Sequence, residues 1–406
     1  MDAFYDALET RPPEQREAAL LAALPGQVAH ARANAPHYTA LLKDVDPRTI
    51  TTRAALAALP VTRKSDLIAL QKEHPPFGGL NATAPGALAR LFASPGPIYD
   101  PEGHGRDWWR FARALHAAGF RKGEILHNCF SYHLTPAGAM LESAAHALGC
   151  AVIPGGAGQT EQQVRAIADL RPHGYAGTPS FLKIILEKAA ELSADVASLR
   201  KALVSGEALP PALRADIAGR GVQVLQCYAS ADLGLVAYES EAREGMIVDE
   251  GVIVEIVRPG GGEPVPDGEP GEVVVTTFNR DYPLLRFATG DISAILPGRS
   301  PCGRTNARIK GWMGRADQTT KVRGMFIHPV QIAEVVRRHP EITRARLVVT
   351  YADGRDEMTL ECETASTDPG LAARVGETLQ AVTKMRGNVA LGAGGIDFAK
   401  TIEDRR

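Results

Sequence analysis

The chain has 406 residues, with 45 basic and 47 acidic side chains, a formal net charge of −2 and a hydrophobic content of 45%. This length favours two or three domains, each long enough to bury a core. The near-neutral charge argues against a dedicated nucleic-acid binder, which usually has a basic excess. No apolar run approaches the roughly 18 residues of a membrane span, so we expect neither nucleic acid nor a membrane as a partner.

The first residues and the cysteines predict the cellular compartment. Residues 1–15 are acidic and lack the apolar segment of a secretory signal. The five cysteines are odd in number and are never spaced as CxxC, which favours reduced thiols over a disulfide framework. We therefore expect a cytoplasmic protein.

The elements predicted along the first half of the chain favour an α/β fold. To about residue 75 the sequence is rich in Ala and Leu and predicts helices, broken at Pro60 and at Pro75-Pro76. Short apolar runs then alternate with amphipathic stretches between residues 123 and 228. Strands are predicted at 150–153, 202–204 and 222–225. Strand–helix–strand repetition predicts a parallel sheet covered by helices on both faces, with functional loops at the carboxyl ends of the strands.

Two helix starts in this region have side-chain signals. The run 160–163 fits a capping box, because a Thr hydroxyl and a Gln three residues later can satisfy exposed helix N–H groups. Thr178 and Pro179 offer an N-cap and a first-turn proline. The helix after Pro179 places Phe181, Ile184 and Ile185 at helical spacing.

The second half of the chain predicts a β-rich region and then a small α+β unit. Strands at 252–257, 272–277 and 292–296 are separated by Gly/Pro turns. From about residue 316 the order is helix 329–338, a hairpin of 346–351 with 357–362, and helix 372–385. We predict an α/β fold whose large N-terminal domain, 1–316, combines parallel sheets with a β-rich subdomain, followed by a small α+β domain, 317–406.

Generic catalytic signatures are mostly absent from the sequence. HExxH, GxSxG and GxxxxGK[ST] do not occur, which argues against a zinc protease, an α/β-hydrolase or a P-loop NTPase. GGAGQT at 155–160 lies between a predicted strand and helix but lacks the third glycine of a dinucleotide fingerprint. Such a partial match is more often a tight turn.

Four stretches in order are more specific, namely YASAD at 228–232, RFATGD at 286–291, GRAD at 314–317 with KVRG at 321–324, and Lys400. The chain also contains HARANAPHY, LPVTRKSDL, LGCAVIPGGAGQTEQQV, PCGRT and GRADQTTKVRGMFIHPVQIAEVV. With these motifs the sequence resembles the adenylate-forming enzyme superfamily, and most closely the phenylacetate–coenzyme A ligase family, over nearly its whole length. The resemblance implies that a carboxylate attacks the α-phosphate of ATP, giving an acyl-adenylate and pyrophosphate. The small, mobile C-terminal domain then rotates, and the thiol of coenzyme A displaces AMP.

The resemblance implies a nucleotide site in the large domain. Asp291 would accept hydrogen bonds from both ribose hydroxyls, since a carboxylate offers two acceptor oxygens. Tyr228 would stack beside adenine, although a buried core tyrosine explains it as well. The other residues that the resemblance assigns to nucleotide binding are Ser205, Gly206 and Glu207 on the opposite wall, with Ser230 and Arg315.

The resemblance also implies two catalytic residues and a hinge. Asp232 stands where the family usually has Glu and would hold Mg²⁺ against the phosphates, with a shorter arm. Lys400 matches the lysine that bridges the substrate carboxylate and the phosphate, where a cation stabilises developing negative charge. A solvated tail lysine is the alternative for Lys400, because Ala399 stands where the family commonly has glycine. Asp317 would be the hinge.

Two further sets of residues would contact coenzyme A and the acyl group. The loop expected to approach coenzyme A carries basic residues suited to its phosphates, and the relevant positions are Lys321, Arg323 and Gly324. An aromatic segment of the family lines the acyl pocket, and its counterparts here are Phe130, Tyr132 and His133. This segment favours an aryl or hydrophobic acid, although core packing explains Phe130 equally well.

The phosphate loop departs from the family pattern. That loop reads approximately Ser-Ser-Gly-Thr-Thr-Gly-Lys, whereas residues 94–100 here are Ser-Pro-Gly-Pro-Ile-Tyr-Asp. Pro95 and Pro97 have no N–H to donate, so a nest of amides around phosphate loses members. Asp100 replaces a lysine and is expected to repel pyrophosphate.

A second departure concerns zinc. Relatives often carry a structural zinc site built from Cys and His, and the matching positions here are Ser240, Ile247, Ser300 and Cys302. One thiolate cannot complete a four-ligand zinc site, so we expect no structural zinc.

The sequence therefore predicts an ATP-dependent acid–coenzyme A ligase for an aryl or hydrophobic carboxylic acid, using ATP, Mg²⁺ and coenzyme A. The altered phosphate loop leaves open a non-catalytic member that binds nucleotide or acyl-CoA as a sensor or scaffold. A third hypothesis keeps adenylation but transfers the acyl group to an amine or a carrier protein. Whether the protein is a homodimer also stays open.

Overall fold

The computed structural model describes residues 3–94, 96–316, 320–327, 329–352, 354–392 and 400–406. The chain divides into two compact units, Met1–Met313 and Gly314–Arg406. The assignment of an adenylation domain to 1–316 and a mobile domain to 317–406 stays a prediction.

The helices begin with the long α1, which buries Leu20, Leu24, Val28 and Ala31 along one face. In the described part of the chain, no helix is both long enough and apolar enough to cross a membrane. The helices are α1 (Pro13–Asn34), α2 (Pro36–Leu41), α3 (Arg53–Ala57), α4 (Leu67–Glu73), α5 (Ala112–Ala117), α6 (Ala137–Leu148), α7 (Thr160–Leu170), α8 (Pro179–Glu191), α9 (Pro211–Gly219), α10 (Pro329–Arg338) and α11 (Leu371–Thr383), with short 3₁₀ turns at Ala7–Thr10, Pro47–Thr49, Lys64–Asp66 and Pro85–Ala87.

The strands form sheets in both units. They are β1 (Thr62–Arg63), β2 (Arg90–Ser94), β3 (Ile98–Glu102), β4 (Ile125–Asn128), β5 (Ala151–Pro154), β6 (Gly174–Gly177), β7 (Lys201–Val204), β8 (Gln223–Ser230), β9 (Gly234–Tyr238), β10 (Met246–Val248), β11 (Val252–Val257), β12 (Gly271–Thr277), β13 (Phe287–Ser293), β14 (Ile295–Leu296), β15 (Arg308–Ile309), β16 (Thr320–Val322), β17 (Met325–Ile327), β18 (Ile342–Ala352), β19 (Arg355–Thr364), β20 (Asn388–Gly392) and β21 (Ile402–Asp404).

The largest sheet has nine strands in the order β14-β15-β10-β9-β8-β7-β6-β4-β5. Its strands β8, β7, β6, β4 and β5 are parallel, and α6 to α9 connect them in sequence. This arrangement confirms the predicted α/β fold. Since the strands are parallel, the loops after β4, β6, β7 and β8 lie at one edge of the sheet, where ligands bind in such folds.

A second, four-stranded sheet has the order β1-β13-β12-β11, with β1 parallel to β13 and the other pairs antiparallel. The single strand predicted at 292–296 is wrong, because the chain changes sheet at Ala294. There the Ala294 carbonyl accepts a hydrogen bond from the Lys310 amide at 2.8 Å. The next two residues, in β14, pair with β15 of the large sheet.

The two predicted helix caps have opposite outcomes. The Thr178 side chain accepts from the Phe181 amide with Pro179 in the first turn, which confirms that cap. The capping box at 160–163 is wrong, since Thr160 is already helical. Gln163 points inward instead. Its amide nitrogen donates to the carbonyls of Gly156 and Gly158, and its oxygen lies 2.7 Å from His127 Nε2.

The second unit is a small α+β structure. Its sheet has the order β20-β19-β18-β21, and β18 and β19 form a hairpin that is longer than the predicted one. Helices α10 and α11 contribute to a separate apolar core, which includes Ile332, Val335, Leu347, Leu360, Val375 and Leu379. β16 and β17 form a second, short hairpin.

Candidate active site

Tyr228 and Asp291 meet where the two sheets of the first unit approach each other. Tyr228 lies on β8 and Asp291 on β13. The Tyr228 hydroxyl donates to Asp291 Oδ2 at 2.8 Å and lies 3.1 Å from Thr289 Oγ1. Trp312 Nε1 donates to Asp291 Oδ1 at 3.1 Å. These two donors orient the Asp291 carboxylate.

The predicted adenine wall lies beside Tyr228. Ser205, Gly206 and Glu207 follow the carboxyl end of β7, which is parallel to β8. The Ser205 hydroxyl donates to the carbonyl of Cys227 at 2.9 Å. Gly206 has a φ of 82°, a conformation that favours glycine. Glu207 is held by the Ser180 hydroxyl at 2.6 Å.

Asp232 lies in the connection between β8 and β9. In this connection the Leu233 amide donates to the Ser230 hydroxyl at 3.3 Å. The buried carboxylate of Asp232 forms an ion pair with Lys64 through Oδ2. Its Oδ1 is buried and has no hydrogen-bond partner within the described residues. A carboxylate oxygen in this state fits a hard cation such as Mg²⁺, so Asp232 could hold that metal.

Sequence reasoning missed Lys64. It follows β1, which runs parallel to β13 with Arg63 opposite Ala288. Lys64 therefore lies beside residues 289–291 of β13. Its ammonium group forms an ion pair with the Asp232 carboxylate. Lys64 belongs to the motif LPVTRKSDL, but the sequence alone did not indicate that its partner would be Asp232. Trp312 was also missed, because the sequence alone did not indicate its contact with Asp291.

The altered phosphate segment forms a hairpin instead of an open loop. β2 and β3 are antiparallel, with Ser94 opposite Ile98, and the Ser94 hydroxyl donates to the carbonyl of Ile98 at 3.1 Å. Pro95 lies outside the described residues. Pro97 has no N–H to donate to a phosphate.

Asp100 differs from its predicted setting. It belongs to β3, opposite Phe92, and its side chain is fully buried. Burial, and next the Asp232 carboxylate, raise the pKa of Asp100 well above its usual range. The expected repulsion of pyrophosphate by Asp100 requires a charged carboxylate, whereas this side chain is buried with a raised pKa; the repulsion stays a prediction.

The three residues predicted for the acyl pocket have different surroundings. Phe130 is buried in a core cluster with Phe92 and Trp109. The Tyr132 hydroxyl accepts from the Asn128 side chain and donates to Glu142 at 2.9 Å. Burial, and next Glu142, raise the pKa of Tyr132. His133 is exposed. Because these three residues have different surroundings, the acyl pocket stays a prediction.

The second unit carries the remaining predicted residues. Lys321 lies in β16, and Arg323 and Gly324 form the two-residue turn before β17. Their φ values are 46° and 84°, the pattern of a type I′ hairpin turn. The Arg323 amide donates to Asp356 Oδ2 at 2.9 Å, and its Nε donates to the carbonyl of Asp356 at 2.8 Å.

The other predicted residues of this unit are Arg315, Asp317 and Lys400. Arg315 is half-buried and Lys400 is exposed. Asp317, the predicted hinge, lies outside the described residues.

Cys302, the one thiol at the positions matched to the family's zinc site, has polar neighbours. Cys302 Sγ lies 3.1 Å from Ser300 Oγ, and Arg304 donates to it at 3.6 Å. Burial alone would raise the pKa of Cys302, but hydrogen bonds from Ser240, Ser300 and Arg304 lower it overall. Among residues that the structure describes, no group of three or more His, Cys, Asp or Glu could hold a metal ion.

Comparison with known proteins first gives the class. A family model described as AMP-binding enzyme matches residues 124–279, which include the parallel strands and Tyr228. A solved structure of a 2-hydroxyisobutyryl-CoA ligase in complex with 2-HIB-AMP and CoA has the same fold, with a TM-score of 0.86. The two chains are 24% identical, and the match covers 99% of this chain and 92% of that chain.

The sequence relatives give the family. A phenylacetate-coenzyme A ligase from Thermus thermophilus is 34% identical over 378 residues, which cover 89% of this chain and 84% of the relative. One from Aromatoleum evansii is 30% identical over 376 residues, 88% of this chain and 84% of the relative. The chain therefore belongs to the phenylacetate–coenzyme A ligase family, which confirms the prediction from the motifs.

Proposed function

We propose that this protein is an AMP-forming ligase that joins an aryl or hydrophobic carboxylic acid to coenzyme A at the expense of ATP. The relatives named phenylacetate-coenzyme A ligase support it, because they match this chain over most of their own length. The structural observation that carries the proposal is Asp291, whose carboxylate is oriented by Tyr228 and Trp312. An oriented carboxylate is suited to the two vicinal hydroxyls of a ribose.

The proposed reaction has two steps. An oxygen of the substrate carboxylate forms a bond to the α-phosphorus of ATP, and the bond to pyrophosphate breaks. The thiol sulfur of coenzyme A then forms a bond to the acyl carbon. AMP leaves with the electron pair of the broken acyl–oxygen bond, and the thiol proton passes to solvent. In this proposal Asp291 holds the ribose and Lys400 supplies positive charge to the reacting oxygens in the first step.

Other assignments belong to the same proposal. Asp232 would hold Mg²⁺, which screens the phosphates when bound. The residues Ser205, Gly206, Glu207, Ser230 and Arg315 would complete the nucleotide site. Lys321, Arg323 and Gly324 would face coenzyme A, and Phe130, Tyr132 and His133 would face the acid. A cytoplasmic location is proposed on the sequence alone.

The test is formation of thioester and AMP from ATP, Mg²⁺, coenzyme A and single acids. The panel contains phenylacetate, benzoate, a straight-chain fatty acid and 2-hydroxyisobutyrate. We expect turnover with an aryl acid and stoichiometric AMP, with loss of turnover in Asp291→Ala. If folded protein yields neither thioester nor acyl-adenylate with any acid yet binds AMP or acyl-CoA, it is a sensor and the proposal is wrong.

A further inference from the structure

The β16–β17 turn, residues 321–324, is fixed to the neighbouring sheet of the second unit by polar contacts. The Arg323 amide donates to Asp356 Oδ2 at 2.9 Å, and Arg323 Nε donates to the carbonyl of Asp356 at 2.8 Å. Arg323 Nη1 also donates to the carbonyl of Arg386 at 3.4 Å. Since Asp356 belongs to β19, the tip of the hairpin is held by a different strand of the same unit.

Arg406 holds Asp356 in place. Arg406 Nη1 lies 2.8 Å from Asp356 Oδ2, the oxygen that also accepts from the Arg323 amide, and the two side chains are 7% and 13% exposed. Arg406 Nη2 donates to Thr320 Oγ1 at 3.0 Å, at the start of β16. One guanidinium group therefore contacts the hairpin at its first residue and, through Asp356, supports its turn.

The backbone of Arg323 shows why the turn needs this support. Its φ of 46° lies in the left-handed region, which disfavours a residue with a Cβ. Type I′ turns prefer Asn, Asp or Gly at this position, so Arg is an unfavourable choice. Such a conformation persists only where surrounding contacts hold it, and it is common at functional sites. The two acceptors of Asp356 supply those contacts.

These polar contacts are separate from the apolar contacts of the hairpin. Val322 and Ile327 are buried in the core of the second unit, whereas Arg323 is exposed. Without the Asp356 carboxylate, the strands should therefore stay packed while the turn is released. Arg406 has a second ion pair, with Asp404, so its charge keeps a partner in such a variant.

We propose that Asp356 and Arg406 are positioning residues for thioester formation, which hold the 321–324 turn in the conformation that coenzyme A binds. The proposal rests on the proposed function, which assigns this turn to coenzyme A. Asp356 and Arg406 act through Arg323 and not by contact with the cofactor. Arg406 also compensates the Asp356 carboxylate, which otherwise would repel the phosphates of coenzyme A.

The test measures the two steps of the reaction separately in the full-length protein. Thioester formation from supplied acyl-AMP gives the KM for coenzyme A, and isotope exchange between pyrophosphate and ATP reports adenylation. We expect Asp356→Ala to raise the KM for coenzyme A about fivefold or more, because hydrogen bonds that hold the turn are lost. The exchange rate should stay the same. Asp356→Asn keeps an acceptor for the Arg323 amide and should raise that KM by a smaller factor.

The control is Glu363→Ala, at the opposite end of β19, where Glu363 pairs with Arg344 at 2.8 Å. It should leave the KM for coenzyme A and the exchange rate unchanged, and thermal melts establish that each variant is folded. An unchanged KM for coenzyme A in Asp356→Ala, or an equal loss in both steps, would overturn the proposal while the ligase activity stands.

Direct binding distinguishes a failure of this proposal from a failure of the proposed function. If the wild type forms no thioester, the proposed function is wrong, and calorimetric titration with coenzyme A then decides the role of Asp356. Binding that is about fivefold weaker in Asp356→Ala would uphold that role. Equal affinities of wild type and variant, or no binding by the wild type, would overturn it.

Discussion

At the scale of single residues, Asp291 has the most directly testable role. Tyr228 donates to one of its oxygens and Trp312 to the other, and a hydrogen bond to a charged group contributes about 1.5–3 kcal/mol. Asp291→Ala should therefore weaken ATP binding by roughly 10- to 100-fold. The same variant should lose discrimination between ATP and 2′-deoxy-ATP, because the discriminating contact is the one removed.

Calorimetric titration of both nucleotides measures this effect. The control is Asp195→Ala, which removes an exposed carboxylate paired with Arg171 at the surface and should leave both affinities unchanged. If Asp291→Ala lowers the affinity for both nucleotides by the same factor, Asp291 does not contact the 2′-hydroxyl.

Asp107 gives a prediction for stability against pH. Its Oδ2 accepts from the Ala112 amide at 2.9 Å, and burial raises its pKa to about 7. In the unfolded chain the pKa is about 4. Between about pH 4 and pH 7 the folded state thus binds more protons, so the contribution of Asp107 to stability falls as pH rises through this window and levels off above it.

Asp107→Asn keeps an acceptor for the Ala112 amide and removes the titration. Relative to this variant, the wild type should lose on the order of 2–4 kcal/mol of unfolding free energy between pH 4 and pH 7. Urea unfolding at a series of pH values measures the difference. Parallel curves for the two proteins would show that Asp107 titrates normally.

At the scale of elements, sequence patterns predicted the features that depend on neighbouring residues and missed those that depend on contacts between residues far apart in the chain. The Thr178 cap was predictable because donor and acceptor are three residues apart. The capping box at Thr160 failed because Gln163 finds His127 and two loop carbonyls, which only the folded chain brings near. The change of sheet at Ala294 likewise depends on a hydrogen bond from Lys310.

The same distinction applies to the candidate site. Asp291 and Tyr228 were predictable because they belong to contiguous motifs. Lys64 and Asp100 were not, since their relation to Asp232 arises from β1 pairing with β13 and from the β2–β3 hairpin. No local pattern in the sequence indicates that the Asp100 side chain is buried.

The β16–β17 turn provides a prediction at this scale. Gly324 has a φ of 84° with open space around its Cα, so an added methyl group causes only backbone strain. Gly324→Ala should destabilise the second unit by about 1 kcal/mol. Gly392→Ala, which also has open space but no positive φ, is the control and should be neutral or slightly stabilising. Urea unfolding of both variants decides this, and equal stability of the two would show that the turn adopts another conformation.

At the scale of the whole molecule, the two units have separate cores and carry different parts of the proposed chemistry. The first holds Tyr228, Asp232 and Asp291, whereas the second holds Lys400 and the 321–324 turn. Within the second unit the proposed roles are divided between the two steps, with Lys400 assigned to adenylation and the 321–324 turn to thioester formation.

Lys400 tests that division. It is exposed and follows a segment outside the described residues. If it stabilises the charge that develops as the carboxylate attacks ATP, Lys400→Ala should slow pyrophosphate release by about 100-fold or more. Thioester formation from supplied acyl-AMP should change less than about threefold, because that step does not involve the α-phosphorus of ATP. Arg405→Ala removes another exposed cation nearby, paired with Glu403, and should leave both rates unchanged. Stopped-flow measurement of each step separates them, and an equal loss in both would assign Lys400 to folding or to domain structure instead of to adenylation.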